Sequence, residues 1–192
     1  MKPYLLPAGF ALALIQINTL ADDQSALTLK ARVIAGQLVQ QLGAELKKEM
    51  SSNGPGSAIS VCKSLAPEIA GRLSREQGAK VARVSLKSRN PLLGQADIWE
   101  QTVLARFDQL NAQGEKPETL EHAELVTEPQ GRYFRYMKAI PVQPLCLTCH
   151  GTQEVIPPEV KAILAKEYPH DQATGYSMGQ IRGAVTIKQR ID

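Results

Sequence analysis

The chain has 192 residues, 43% of them apolar, which is enough for one domain with a real core and unlike a disordered or fibrous composition. Its 22 Lys and Arg against 19 Asp and Glu leave a charge of +3 with no basic block, so nucleic acid is not expected as a partner. Three cysteines are too few to staple a scaffold with disulfides.

The N-terminal stretch MKPYLLPAGFALALIQINTLADDQ sets one lysine ahead of an apolar run from Tyr4 to Ile17. Small residues at Thr19 and Ala21 then precede Asp22-Asp23. This is the layout of a secretory leader, expected to be cleaved after Ala21, with residues 1–21 as signal peptide and 22–192 as a single mature domain. The apolar run is shorter than the ~20 residues of a spanning helix, and Pro7 and Gln16 interrupt it. The expectation is therefore an exported, soluble, periplasmic product without a membrane anchor.

From Ser25 to Met50 the residues Ile34, Leu38, Leu42 and Leu46 recur every four, which predicts a long N-terminal amphipathic helix. The segment Ser51-Ser52-Asn53-Gly54-Pro55-Gly56 reads as a breaker. A second helix opening at Ser57 places Ile59, Cys62, Leu65, Ala66, Ile69 and Leu73 on one face. Pro67 lies inside that pattern, so the helix kinks there or a new one starts, and Cys62 is expected to point inward. Lys80 to Leu86 reads as a strand, and Lys87 to Gln95 as a loop around Arg89-Asn90-Pro91 and Gly94. Asp97 and Glu100 form a capping box for a helix that buries Trp99, Val103, Leu104, Phe107 and Leu110 and ends at Gly114.

Ala123 to Glu128 and Arg132 to Ile140 flank the turn Glu128-Pro129-Gln130-Gly131, a hairpin pattern. Pro141 and Pro144 break the second strand. A short helix is predicted from Pro158 to Glu167, and a last strand from Ile181 to Gln189. Helices early and a hairpin late predict an α+β fold with an antiparallel sheet.

The chemistry is concentrated in Cys146-Leu147-Thr148-Cys149-His150, a C-x-x-C-H sequence read as c-type haem attachment. Two thiols three positions apart can each bond one haem vinyl group, and the histidine that follows is presented to the iron. A redox dithiol normally opens a helix in a βαβ unit, and none precedes Cys146. A zinc site lacks a second ligand pair in the sequence. A structural disulfide leaves His150 unexplained. For the opposite face of the iron the candidates are Cys62, His122, His170, Met137 and Met178. Met137 in a strand reads as a packing residue, Met178 lies in a glycine-rich loop, and both histidines lie in polar, exposed stretches. Cys62 is the cysteine left over in an exported chain, equally readable as a small buried hydrophobe. Arg83, Arg89, Arg135 and Arg182 can each pair with a haem carboxylate, Arg89 being favoured by its place in the motif loop. An arginine in such a stretch is nonetheless first of all a surface residue. Tyr133, Phe134 and Tyr136 can wall a haem or simply fill the core.

Several phrases occur together and in order: Ala58-Ile59-Ser60-Val61-Cys62, Arg83-Val84-Ser85-Leu86-Lys87-Ser88-Arg89-Asn90-Pro91 and Tyr133-Phe134-Arg135-Tyr136-Met137-Lys138. After the C-x-x-C-H come the stretch from Tyr168 to Tyr176 and Ile181-Arg182-Gly183-Ala184-Val185. The set resembles a bacterial family of single-haem c-type proteins whose haem domain has a PAS-like fold. The resemblance implies one haem c held covalently by Cys146 and Cys149, His150 as proximal ligand, and Cys62 as the opposite axial ligand. The chain departs from that pattern at Leu92-Leu93-Gly94-Gln95, where the family usually continues with Asn and Pro. The expected function is one-electron transfer to a separate redox partner. The alternative is a haem-based redox or gas sensor (NO or CO); with no output module expected in the chain, it would act through a partner. No local distal acid–base pair supports peroxidase chemistry, so an enzyme is not expected.

Overall fold

The computed structural model describes the backbone from Ala11 to Asp192 and side chains from Asp23 onward, so the expected leader at 1–21 lies outside the described side chains. Among the described residues no helix is long and apolar enough to cross a membrane. The first helix, α1 (Ala11–Ser60), buries Ala31, Ile34, Ala35, Leu38 and Leu42, the stripe read from the four-residue spacing. The expected breaker narrows to Gly54, whose φ of 81° and ψ of 177° leave the helical region just before Pro55. Ser51 and Asn53 remain helical, donating to the Lys48 carbonyl and the Glu49 carboxylate.

The ambiguity at Pro67 resolves into a widened turn. Val61–Leu65 form a π-turn in which the Ala66 N–H reaches back to the Val61 carbonyl. The next helix, α2 (Ala66–Gln77), carries Pro67 in its first turn, where a missing N–H is harmless. An interior proline removes an intrahelical hydrogen bond and crowds the preceding turn, and one inserted residue of π geometry relieves both. Cys62 lies on that turn. Strand β1 (Lys80–Val84) follows. The stretch read as a plain loop contains a helical turn, α3 (Pro91–Gly94), because the Asn90 side chain accepts from the Leu92 N–H. Helix α4 (Ile98–Ala112) starts with the expected Asp97–Glu100 capping box and buries Val103, Leu104 and Phe107.

Strands β2 (Glu121–Glu128) and β3 (Gly131–Pro141) form the expected hairpin, with Glu128 opposite Gly131 across Pro129-Gln130. Two short helices, α5 (Pro144–His150) and α6 (Pro158–Glu167), precede the last strand, β4 (Ile181–Arg190). The antiparallel sheet has the order β1-β4-β3-β2 and helices on both faces, the α+β, PAS-like layout with a long N-terminal helix that the sequence implies. Side chains alternate along each strand. Phe134, Tyr136, Val185 and Ile187 pack under α1 and α2 with Ile34, Leu38, Ile69 and Leu73. Met137, Ala139 and Ala184 pack on the other face, with Leu104 and Phe107 of α4. A third, smaller cluster joins Ile59 near the end of α1 to Ile156, Val160, Leu164 and Tyr168. It brings the π-turn and α6 to the same end of the molecule.

Truncating Leu38, which is fully buried between α1 and the sheet, leaves a cavity and lowers unfolding stability by about 2–5 kcal/mol. Leu29→Ala, one helical face away and exposed, changes it by no more than about 0.5 kcal/mol. Urea unfolding of the two variants measures both.

Candidate cofactor site

Pro141 ends β3, and Pro144 opens α5 in its first turn, so the C-x-x-C-H motif is forced onto a short, separate helix. Cys146 and Cys149 then lie one turn apart, with His150 as the last helical residue. Gly151 is required at the exit, since a Cβ there would lie 2.6 Å from the Leu147 carbonyl oxygen. Beyond it the motif is laced to a second loop: the Gly175 N–H donates to Gly151 O (2.7 Å) and the Tyr176 N–H to His150 O (2.9 Å).

All three cysteines are free thiols and partly exposed. Burial pushes the Cys149 thiol up to about 11, opposed by the Arg89 charge. Cys62 lies close enough for its charge to act on Cys149 and on Tyr168. The π-turn and the motif, 84 residues apart in the numbering of Cys62 and Cys146, therefore converge.

His150 is half-buried, and its state follows from its neighbours. Its Nδ1 lies 2.6 Å from the Ala173 carbonyl oxygen, which carries no hydrogen, so Nδ1 is the donor and the Nε2 lone pair is left available. Burial first, then the positive charges of Arg182, Arg89 and Arg83, hold this imidazole well below the usual histidine range. Arg182 Nε is nearly equidistant from the two ring nitrogens, at 3.2 and 3.4 Å. That places it over the ring near Cε1, along neither lone pair. Tyr176 meets the same ring edge-on at 6.3 Å.

The Ala173 carbonyl is itself held in place. Asp171 Oδ1 accepts from the Ala173 N–H (2.7 Å), and Oδ2 accepts from Arg89 Nε (3.0 Å). Arg89 Nη2 donates to the carbonyls of Cys149 (2.5 Å) and Ala173 (3.4 Å). The Arg89–Asp171 pair is about nine-tenths buried on both sides, so it ties the loop to the back of the motif in a low-dielectric setting. Lys87 donates to the Thr174 carbonyl and lies 4.5 Å above the Tyr176 ring.

The arginines depart from the surface reading. Arg89 and Arg135 are buried, but apart from one another: Arg135 pairs with Asp97, Glu100 and Glu128 and stacks 4.3 Å over Trp99. His122 is half-buried rather than exposed, stacked 5.7 Å from Trp99 and beside Glu124. His170 is exposed as expected, Met137 is fully buried as a packing residue, and Met178 is exposed. Phe134 and Tyr136 are core residues under α1. Asp171, Ala173 and Tyr176 were not singled out from sequence. The contacts that give them their roles reach far along the chain, from Asp171 to Arg89 and from Ala173 to His150.

Among the described residues no three His, Cys, Asp or Glu side chains converge to hold a bare metal ion. Instead, two thiols lie one turn apart on α5, an imidazole with Nε2 available follows them in the chain, and the Cys62 thiol lies near Cys149. The spacing and order of these groups fit a covalently held haem, whereas the described side chains do not meet at one point as a zinc site requires.

The Tll0287-like family model matches residues 18–190. Among solved structures the chain is similar to the crystal structure of the cyanobacterial haem protein Tll0287. The TM-score is 0.60 at 24% identity, covering 89% of this chain and 96% of that one. No curated protein sequence matches.

Replacing Asp171 by Ala strands the buried Arg89 guanidinium and frees the Ala173 carbonyl. Breaking such a pair lowers unfolding stability by about 3–5 kcal/mol. Chemical denaturation of Asp171→Ala checks this, and a loss under 1 kcal/mol, as for a surface pair, contradicts it.

Proposed function

The chain belongs to the Tll0287-like family, and from that footing we propose that it is an exported, periplasmic, single-haem c-type protein with His/Cys axial ligation that passes one electron at a time. The observation that carries the reading is the placement of Cys146 and Cys149 on one turn of α5 beside a His150 whose Nδ1–H is already committed to Ala173. A described haem protein with this fold adds support, as does the leader-like start of the chain.

In this reading the Cys146 and Cys149 sulfurs hold the haem through its two vinyl groups. The bound haem supplies the Fe(III)/Fe(II) couple. His150 acts through Nε2: the Ala173 carbonyl fixes its tautomer and ring orientation and makes it a better donor, the usual work of an outer partner on a ligating histidine. Because burial and three arginines disfavour its protonation, His150 remains a competent ligand in mildly acid solution. Cys62 supplies a thiolate from the opposite side, which favours the ferric state and a potential below that of His/Met cytochromes. Catalysis forms no part of the reading.

The second reading is a haem-based redox or gas sensor, and one observation favours it. Cys62 is carried on a π-turn, a less stable geometry than the α-helix around it and one frequent at functional sites. A ligand on such a turn is easier to release on reduction, which would open a site for NO or CO.

Oxidised and reduced spectra of the purified protein, with and without CO, decide between the two. A carrier shows no Soret shift with CO, whereas a clear shift favours the sensor. In Cys62→Ala the ferric low-spin spectrum is lost; an unchanged ferric spectrum contradicts thiolate ligation.

A further inference from the structure

The wall behind His150 is unbalanced in charge. Lys87, Arg89 and Arg182 gather there: Arg182 Nε lies 3.2 Å from His150 Nδ1, Arg89 donates to the Cys149 carbonyl, and Lys87 donates to the Thr174 carbonyl. Among the described residues the carboxylate paired with them is Asp171, and it is fully engaged, with one oxygen on Arg89 and the other on the Ala173 N–H. Among the described residues Arg182 makes no ion pair. Its Nη1 donates to Ser85 Oγ (2.9 Å) and the Lys87 carbonyl (3.2 Å), and its Nε lies over the neutral His150 ring. Nη2 has no protein acceptor among the same residues.

The position of Arg182 is built rather than incidental. It follows Ile181 at the start of β4, and the next residue, Gly183, has a φ of 158° and approaches the Val84 carbonyl where a Cβ would collide. That close approach brings β4 against the end of β1, so that Ser85 Oγ donates to the Arg182 carbonyl (2.8 Å) while accepting from its guanidinium. A partly desolvated cation held this firmly without a counter-charge is expensive unless an anion completes it. Arg89 and Arg135 do not share this feature, since each already pairs with a buried carboxylate, Asp171 and Glu100 respectively.

We propose that Arg182 is the anchor for a carboxylate of the bound cofactor, a propionate of the haem, and that Arg89 serves instead to position the loop behind His150. This deepens the haem reading and rests on it. The same guanidinium chemistry would accept a free carboxylate or phosphate, so the test must separate the cofactor's own carboxylates from anions in solution.

The full chain carrying Cys146→Ala and Cys149→Ala, which can take up haem only reversibly, is titrated with haemin and with haemin dimethyl ester. The ester lacks the negative charges and is otherwise the same size class. The parent binds haemin at least about tenfold more tightly than the ester, the worth of one charge-assisted pair in a sheltered site. Arg182→Gln brings the ratio close to one with little change in ester affinity, and Arg182→Lys, which keeps the charge, retains part of the preference. Equal losses for haemin and ester mean a general structural role and overturn the anchor. So does an unchanged ratio in Arg182→Gln, or a preference in the parent that phosphate buffer abolishes. A folded parent that takes up neither ligand, while the wild-type protein carries haem, also overturns the anchor. A wild-type protein without haem overturns the underlying reading instead.

Discussion

The arrangement at the motif depends on one short contact, the Nδ1–H of His150 on the Ala173 carbonyl at 2.6 Å. A histidine at the end of a two-turn helix has a free χ1 and χ2 and two equivalent-looking nitrogens. This hydrogen bond selects one tautomer and one ring orientation, and leaves a single lone pair available. The carbonyl can serve only because its own loop is fixed, and the buried Arg89–Asp171 pair fixes it. The dependence therefore runs from an ion pair between residues 89 and 171, through a backbone carbonyl, to the imidazole.

The regular elements were legible because their causes are local. The four-residue spacing of Ile34, Leu38 and Leu42, the Asp97–Glu100 capping box and the Pro129-Gln130 hairpin each act over a handful of residues. The boundaries of α6 could be read to the residue, since Pro158 starts it and the polar loop ends it. The π-turn at Cys62 was only half legible: Pro67 demanded some accommodation, but a kink and a widened turn satisfy the same local demand. Tertiary packing of Ile59 against α6 accompanies the widened turn.

The candidate site divides the same way. Cys146, Cys149 and His150 are legible because a covalent requirement imposes fixed spacing on neighbours in the chain. Asp171, Ala173, Tyr176 and the true surroundings of Arg89 and Arg182 are not, because sheet and loop closure create those contacts. Arginine burial shows this most plainly. Residue type alone makes each arginine a surface residue, yet Arg135 is buried among three carboxylates and Arg89 against Asp171. Burial follows from partners, and the partners are distant in sequence.

The surplus of positive charge and the neutral imidazole point the same way. A site with two thiols, one lone pair and unbalanced guanidinium groups is suited to an electron-poor metal centre bearing its own carboxylates, which is the description of a haem. The most direct measurement is the intact mass of the mature protein under denaturing conditions. The account predicts the mass of the chain from Asp22 to Asp192 plus one haem, with the increment lost when Cys146 and Cys149 are both replaced. A mass equal to the bare polypeptide, from a host that attaches haem to other C-x-x-C-H proteins, would contradict it.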